Sequence, residues 1–312
     1  MITTFKQNGF DHISLENELL KVIFLPEIGG KMIKLINKKT NTNFLLEPHK
    51  EYKHAFHGAP FENYDASGFD ECFPTIEACE ITTESGAKIK FPDHGQLWSK
   101  AWDYEIIGEE TFIRTTKGIN WNYVFKKIIS LEGNKLTIDY EVENFEDEPL
   151  PYIWAAHPLL NIEPGDEIYL PEEMRKVFVG WTNDKNIGSE VEWSYLDNEN
   201  DFSVVQPVEF GKAVKLFSHQ LKEFGWVALH KIKNKESFLI SFDTSEIPFL
   251  GVWLCYGGWP PNGNQKHLTV ALEPATASCD SLAEAMQKKL CSVVDPHKKN
   301  IWQLEIAIVN EQ

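Results

Sequence analysis

Three ionisable side chains stand where proton transfer could be carried out. His157 lies inside "PYIWAAHPLLNI" (151–162), an otherwise apolar run. Imidazole changes charge near neutrality, so a ring held there could give or take a proton, although a core histidine keeping one hydrogen bond is the commoner use of such a position. His94 lies in "FPDHGQLWSKAW", in a turn with Pro92, Asp93 and Gly95, followed by Trp98 and Trp102. Taken alone it reads equally well as a surface-turn histidine. The tryptophans suit a sugar, whose apolar ring face packs on aromatic carbon while its hydroxyls seek polar groups. Glu273 lies in "LTVALEPATASCDSLAEA". Alternation puts it on one face with Thr269, Ala271 and Ala275, opposite Leu268, Val270 and Leu272. A carboxylate flanked by small side chains is either a solvated strand residue or the floor of a cleft.

The elements that must position these groups read as strands. In "KLTIDYEVEN", Leu136, Ile138, Tyr140 and Val142 alternate with Thr137, Asp139, Glu141 and Glu143, as in a strand with one wet side. "LLKVIFLP", "KMIKLIN", "NTNFLL", "YVFKKIISL", "SFLISFD", "FLGVWLCY", "LTVALEP" and "WQLEIAIV" follow the same rule, with Gly, Pro, Asn or Asp between them. Only "SLAEAMQKK" (281–289) reads as a helix, capped by Asp280 or Ser281. Many short strands with almost no helix to cover them predict an all-β chain, a large antiparallel β-sandwich. No linker, repeat or low-complexity tract divides the chain, which predicts one domain over 1–312; "WSYLDNENDF" reads as a surface loop.

The chain has 312 residues, 42% of them hydrophobic, and a formal net charge of -17. That charge repels a nucleic-acid backbone or an anionic membrane and leaves a neutral small molecule as the easiest partner. Five cysteines without a CxxC pair predict neither a disulfide framework nor a zinc site, and no metal is expected. Neither a leader pattern nor a bilayer-spanning apolar run is present, so a soluble, cytoplasmic protein is expected. Dinucleotide, P-loop and GxSxG motifs are missing. Arg114 and Arg175 are the only arginines, which disfavours bidentate recognition of a phosphate or carboxylate.

"DHGxLW", "AAHPL" and "LEPAT", in that order on an all-β chain, resemble the aldose 1-epimerase (galactose mutarotase-like) family over roughly residues 15–310. "NELLKVIFLPEIGGKMIKLINKKTNTNFLL" also looks like that family's opening strands. The resemblance implies the large galactose mutarotase-like supersandwich and the interconversion of α and β anomers of an aldose. By motif position, Glu273 matches the general base, His157 the general acid on the ring oxygen, and His94 the histidine that helps hold or polarise that region. It implies no cofactor; the scarcity of arginine disfavours the family's hexose-6-phosphate branch and favours an unphosphorylated sugar as partner, and a monomer or homodimer is expected.

The chain departs from the family twice. Where galactose-type members carry a sugar-binding arginine, it has "DASGFDECFPTI", so Asp70, with Glu71, is expected to take over hydroxyl recognition. Where they carry an aspartate before a strand in the second half, "EFGWVALH" offers Trp226 or a glycine. Trp98 and Trp259 are the expected sugar-stacking rings, Trp259 ahead of Trp253. Three other readings compete: a glycoside hydrolase or lyase using Asp70 and Glu273, a non-catalytic sugar-binding or sugar-sensing protein, and a metal site from His54 and His57 with Asp65, Asp70 and Glu71.

Overall fold

The structure is a computed structural model that describes residues 1–262 and 265–311. Two antiparallel sheets dominate. Across the larger, of twelve strands, the order is Ile2–Gln7, Phe10–Glu16, Leu20–Leu25, Lys31–Asn37, Phe69–Cys72, Ala155–Leu160, Leu268–Ala275, Phe249–Tyr256, Lys212–Ser218, Lys176–Thr182 and Glu190–Glu192; Thr42–Asn43 pairs with Lys31–Asn37 off this path. The second has eight strands, in the order Glu167–Tyr169, Gly225–Lys231, Glu236–Phe242, Lys299–Asn310, Lys135–Asn144, Tyr123–Glu132, Thr111–Lys117 and Asp103–Ile106. Two small ribbons, Leu150–Tyr152 with Ser292–Val294 and Cys79–Thr82 with Lys88–Phe91, complete the set. The predicted β-sandwich is observed.

Burial follows the sequence pattern where one face is wet. Leu136, Ile138, Tyr140 and Val142 are buried, and the residues between them are half-exposed. Their side chains meet the larger sheet in an aromatic core, in which Tyr140 stacks on Trp302 at 5.6 Å and Trp154 meets Trp302 edge-on at 5.2 Å. In the middle of the larger sheet the alternation disappears. Phe69–Cys72 and Ala155–Leu160 are buried at every position, because irregular chain covers the face turned away from the core.

The expected helix forms over Leu282–Lys288, with Ser281 at its N-cap. "NTNFLL" is shorter than expected: only Thr42–Asn43 pairs as a strand, and Leu45 bridges to Leu160. All five cysteines are free, and among the described residues no helix is long and apolar enough to cross a membrane.

Candidate active site

One row across the larger sheet carries the candidate groups. Met32 pairs with Phe69 and His157 with Asp70. Ala155 lies opposite Ala275 and Leu159 opposite Ala271, a register that sets His157 level with Glu273, and Glu273 pairs with Gly251. Successive strands therefore bring Asp70, His157 and Glu273 side by side from distant parts of the chain. Antiparallel neighbours stand about 5 Å apart at Cβ, close enough for one small molecule to touch several of them.

Asp70 orients His157. The His157 Nδ1 donates to Asp70 Oδ1 at 3.1 Å, and Lys31 Nζ lies 3.3 Å from the other Asp70 oxygen and 2.5 Å from Asp65 Oδ2. Burial alone would raise the Asp70 carboxyl, but Lys31 and then His157 outweigh it and hold it well below the usual carboxylate range. An ionised carboxylate can only accept, so the proton sits on Nδ1 and Nε2 is left to face the cleft.

His94 reaches the same space from the loop between Lys88–Phe91 and Trp102. It has a positive φ of 57°, donates its backbone N–H to Ile76 O at 2.6 Å, and pairs Nδ1 with Asp93 Oδ2 at 2.9 Å. Its ring lies flat on Phe61 at 4.0 Å and 5.3 Å from His157. Gly95 makes the turn possible: its φ is +69°, and a Cβ there would sit 2.1 Å from Phe73 O.

Glu273 is 2% exposed, and Lys215 Nζ donates to its Oε2. Among the described residues no hydrogen bond engages Oε1. Lys215 Nζ is also 4.0 Å from Asp280 Oδ1. Burial would lower the Lys215 ammonium, yet Glu273 and Asp280 hold it above its ordinary value, while burial pushes the Asp280 carboxyl up. Asp280, one of two caps expected for the helix, faces the cleft instead.

These groups share a cleft of about 820 Å³ lined also by Phe61, Leu159, Trp181, Trp253, Trp259 and Thr269. Trp181 and Trp253 meet at 5.6 Å, and Trp259 meets His267 edge-on at 5.1 Å. Burial pushes His267 down to about 4, so this ring is neutral at physiological pH.

Of the residues singled out in the sequence, His94, His157, Trp253, Glu273 and Trp259 line this cleft, and Asp70 lies beside His157 on the next strand. Glu71, Trp98 and Trp226 lie elsewhere. Glu71, next to Asp70 on a strand, points to the opposite face and into the core, where Lys127 reaches its two oxygens at 2.9 and 2.7 Å and Tyr140 OH donates at 3.1 Å. Trp98 is 2% exposed and packs edge-on behind Phe61 at 5.1 Å, so it supports the site without lining it. Trp226 belongs to Gly225–Lys231 in the other sheet; the cleft-facing neighbour of Glu273 is Lys215, which the sequence reading missed together with Phe61 and Asp280.

The suggested metal set is dispersed: His54 faces Glu27 at 3.6 Å, Asp65 and Asp70 hold Lys31, and Glu71 is in the core. Cys72, His94 and His157 do bring potential ligand atoms within 4.8 Å of one another. Burial raises the Cys72 thiol well above its ordinary value, so an ion there would first have to displace that proton.

The family model for aldose 1-epimerase matches residues 11–223, more than half of the chain. No curated protein matches the sequence. Among solved structures, a protein of Synechocystis is similar at a TM-score of 0.72 and 13% identity, covering 100% of this chain and 97% of that one. A candidate aldose 1-epimerase of Escherichia coli is similar at 0.71 and 12%, covering 100% of both. A galactose mutarotase-like protein of Clostridium acetobutylicum gives 0.69 and 14%, covering 100% and 99%. At these identities the likeness speaks to the fold alone.

Proposed function

The chain belongs to the aldose 1-epimerase family, and from that premise we propose that it interconverts the α and β anomers of an unphosphorylated aldose by acid/base ring opening. The observation that carries this reading is the row in which His157, backed by Asp70, stands level with Glu273 at the floor of one cleft. Glu273 Oε1 takes the proton from the anomeric hydroxyl, and protonated His157 gives its Nε2 proton to the ring oxygen. The C1–O5 electron pair passes to O5 as C1=O1 forms. The aldehyde carbon then turns and the two proton transfers run backwards on its other face. Each group is worth about 10²–10⁴ in rate, and the step is proton-neutral without a cofactor. His94, stacked on Phe61, holds the sugar over His157.

Asp70 works through His157 in this reading, and its oxygens are engaged by His157 and Lys31, so it is not a free second carboxylate for glycoside hydrolysis. The Trp181, Trp253 and Trp259 rings supply apolar faces for the pyranose. A neutral sugar, a cytoplasmic monomer or homodimer, and no nucleic-acid or membrane partner complete the proposal. The Lys215–Glu273 pair favours one second reading, a sugar-binding protein whose carboxylate is held rather than free. Two-dimensional NMR exchange between anomeric protons, run over a panel of free aldoses, separates the two. Faster exchange for some sugars supports the epimerase. Saturation transfer to a sugar without faster exchange supports the binding protein.

A further inference from the structure

Lys215 has no counterpart in the roles assigned so far, and its position needs explaining. It extends from Lys212–Ser218, while Glu273 lies on Leu268–Ala275, two strands away. The strand between them, Phe249–Tyr256, offers Gly251 at the crossing, paired with Glu273. A Cβ on Gly251 would already touch Lys215 Nζ and Glu273 Oε2 at 3.4 Å each. A glycine inside a strand marks a close approach, and here it lets an ammonium reach a carboxylate across the backbone.

Glu273 needs such a partner. A carboxylate 2% exposed is not ionised without compensation, and a protonated one cannot act as a base. The groups around it are of mixed sign. Lys215 favours its charge; Asp280 and Asp70 oppose it; Cys72 lies beside them as a neutral thiol; His157 stands level with it, and His94 reaches in with Asp93 behind. Lys215 is the cation in direct contact.

We propose that Lys215 is the positioning residue for the general base: its ammonium keeps Glu273 ionised inside the cleft and, by holding Oε2, turns Oε1 to the substrate, with Asp280 anchoring the ammonium from behind. The inference rests on the reading of Glu273 as the base.

The test is the pH profile of kcat/KM for whichever aldose the exchange experiment identifies, measured on the wild type, Lys215→Met, Lys215→Arg and Glu273→Gln. An opposite charge in contact lowers a carboxyl pKa by about 1–3 units. Lys215→Met should therefore move the acidic limb up by about 1–3 pH units, with activity recovering at higher pH, while Lys215→Arg keeps the limb near that of the wild type. Gly251→Val, which wedges a branched side chain between two intact partners, should move the limb the same way and serves if Lys215→Met does not fold. An unmoved acidic limb in a folded variant, with Glu273→Gln inactive, overturns the role of Lys215 and leaves the base assignment standing. Activity in Glu273→Gln overturns the base assignment itself.

Discussion

Replacing Asp70 by asparagine tests the proposed role of His157 as the acid. The amide is close in shape and still accepts from Nδ1 at 3.1 Å, but it removes the charge that supports an imidazolium. With His157 as the acid, kcat/KM should fall by up to the whole contribution of that group, about 10²–10⁴ in rate. Anomeric exchange followed by NMR reads this directly. The same variant has a stability signature of definite sign. The folded Asp70 carboxyl is held below its unfolded value, so its contribution is present above about pH 4 and lost as pH falls through the folded value. The gap in stability between wild type and variant should therefore be widest near neutrality and close in acid. A folded Asp70→Asn protein with wild-type exchange would refute the role of Asp70 as the partner of the acid.

His157→Ala should lower exchange by about 10²–10⁴ with little change in melting temperature, and Glu273→Gln should lower exchange as much while also lowering the melting temperature, because it leaves the buried Lys215 ammonium with only Asp280 at 4.0 Å; NMR exchange and thermal unfolding check both. Glu71→Gln leaves Lys127 as a buried charge without its partner, so it should cost about 3–5 kcal/mol in denaturant unfolding while KM stays near that of the wild type. A raised KM at unchanged stability would return Glu71 to the sugar. Gly95→Ala meets Phe73 O and demands an αL alanine, so a loss of at least about 1–3 kcal/mol and displacement of the His94 ring are expected, visible in the melting temperature and in the His94 imidazole resonances.

How far the sequence discloses this molecule depends on whether a residue's partners are near in the chain. Lys135–Asn144 is legible because one face is wet and the polar residues mark it. Lys212–Ser218 is not, since "KAVKLFS" sets lysines beside apolar residues with no clean period. His94, His157 and Glu273 are found through their local motifs. Asp70 and Glu71 come from one tetrapeptide, "FDEC", and adjacent residues on a strand face opposite ways, so only one of them can lie on the cleft side of the sheet. Local sequence does not say which; the register with His157 does. Lys215 lies 58 positions from Glu273 in sequence, and the one local trace of their contact is a glycine within "FLGVWLCY".

The sheet also explains how so many charges can be buried at one floor. Lys31, Asp70, Glu273 and Lys215 are each under 10% exposed, a condition that isolated charges in a protein interior do not tolerate. Each has an opposite charge within reach: Lys31 has Asp65 and Asp70, and Glu273 has Lys215. Side-chain pairs of this kind would wander on loops. On strands their spacing is fixed by the backbone ladder, so the donors and acceptors that face the cleft are held in place. The twelve-stranded sheet thus does more than enclose a core: its central row is a preorganised set of charges, which is the condition under which electrostatic groups contribute most to a proton-transfer transition state.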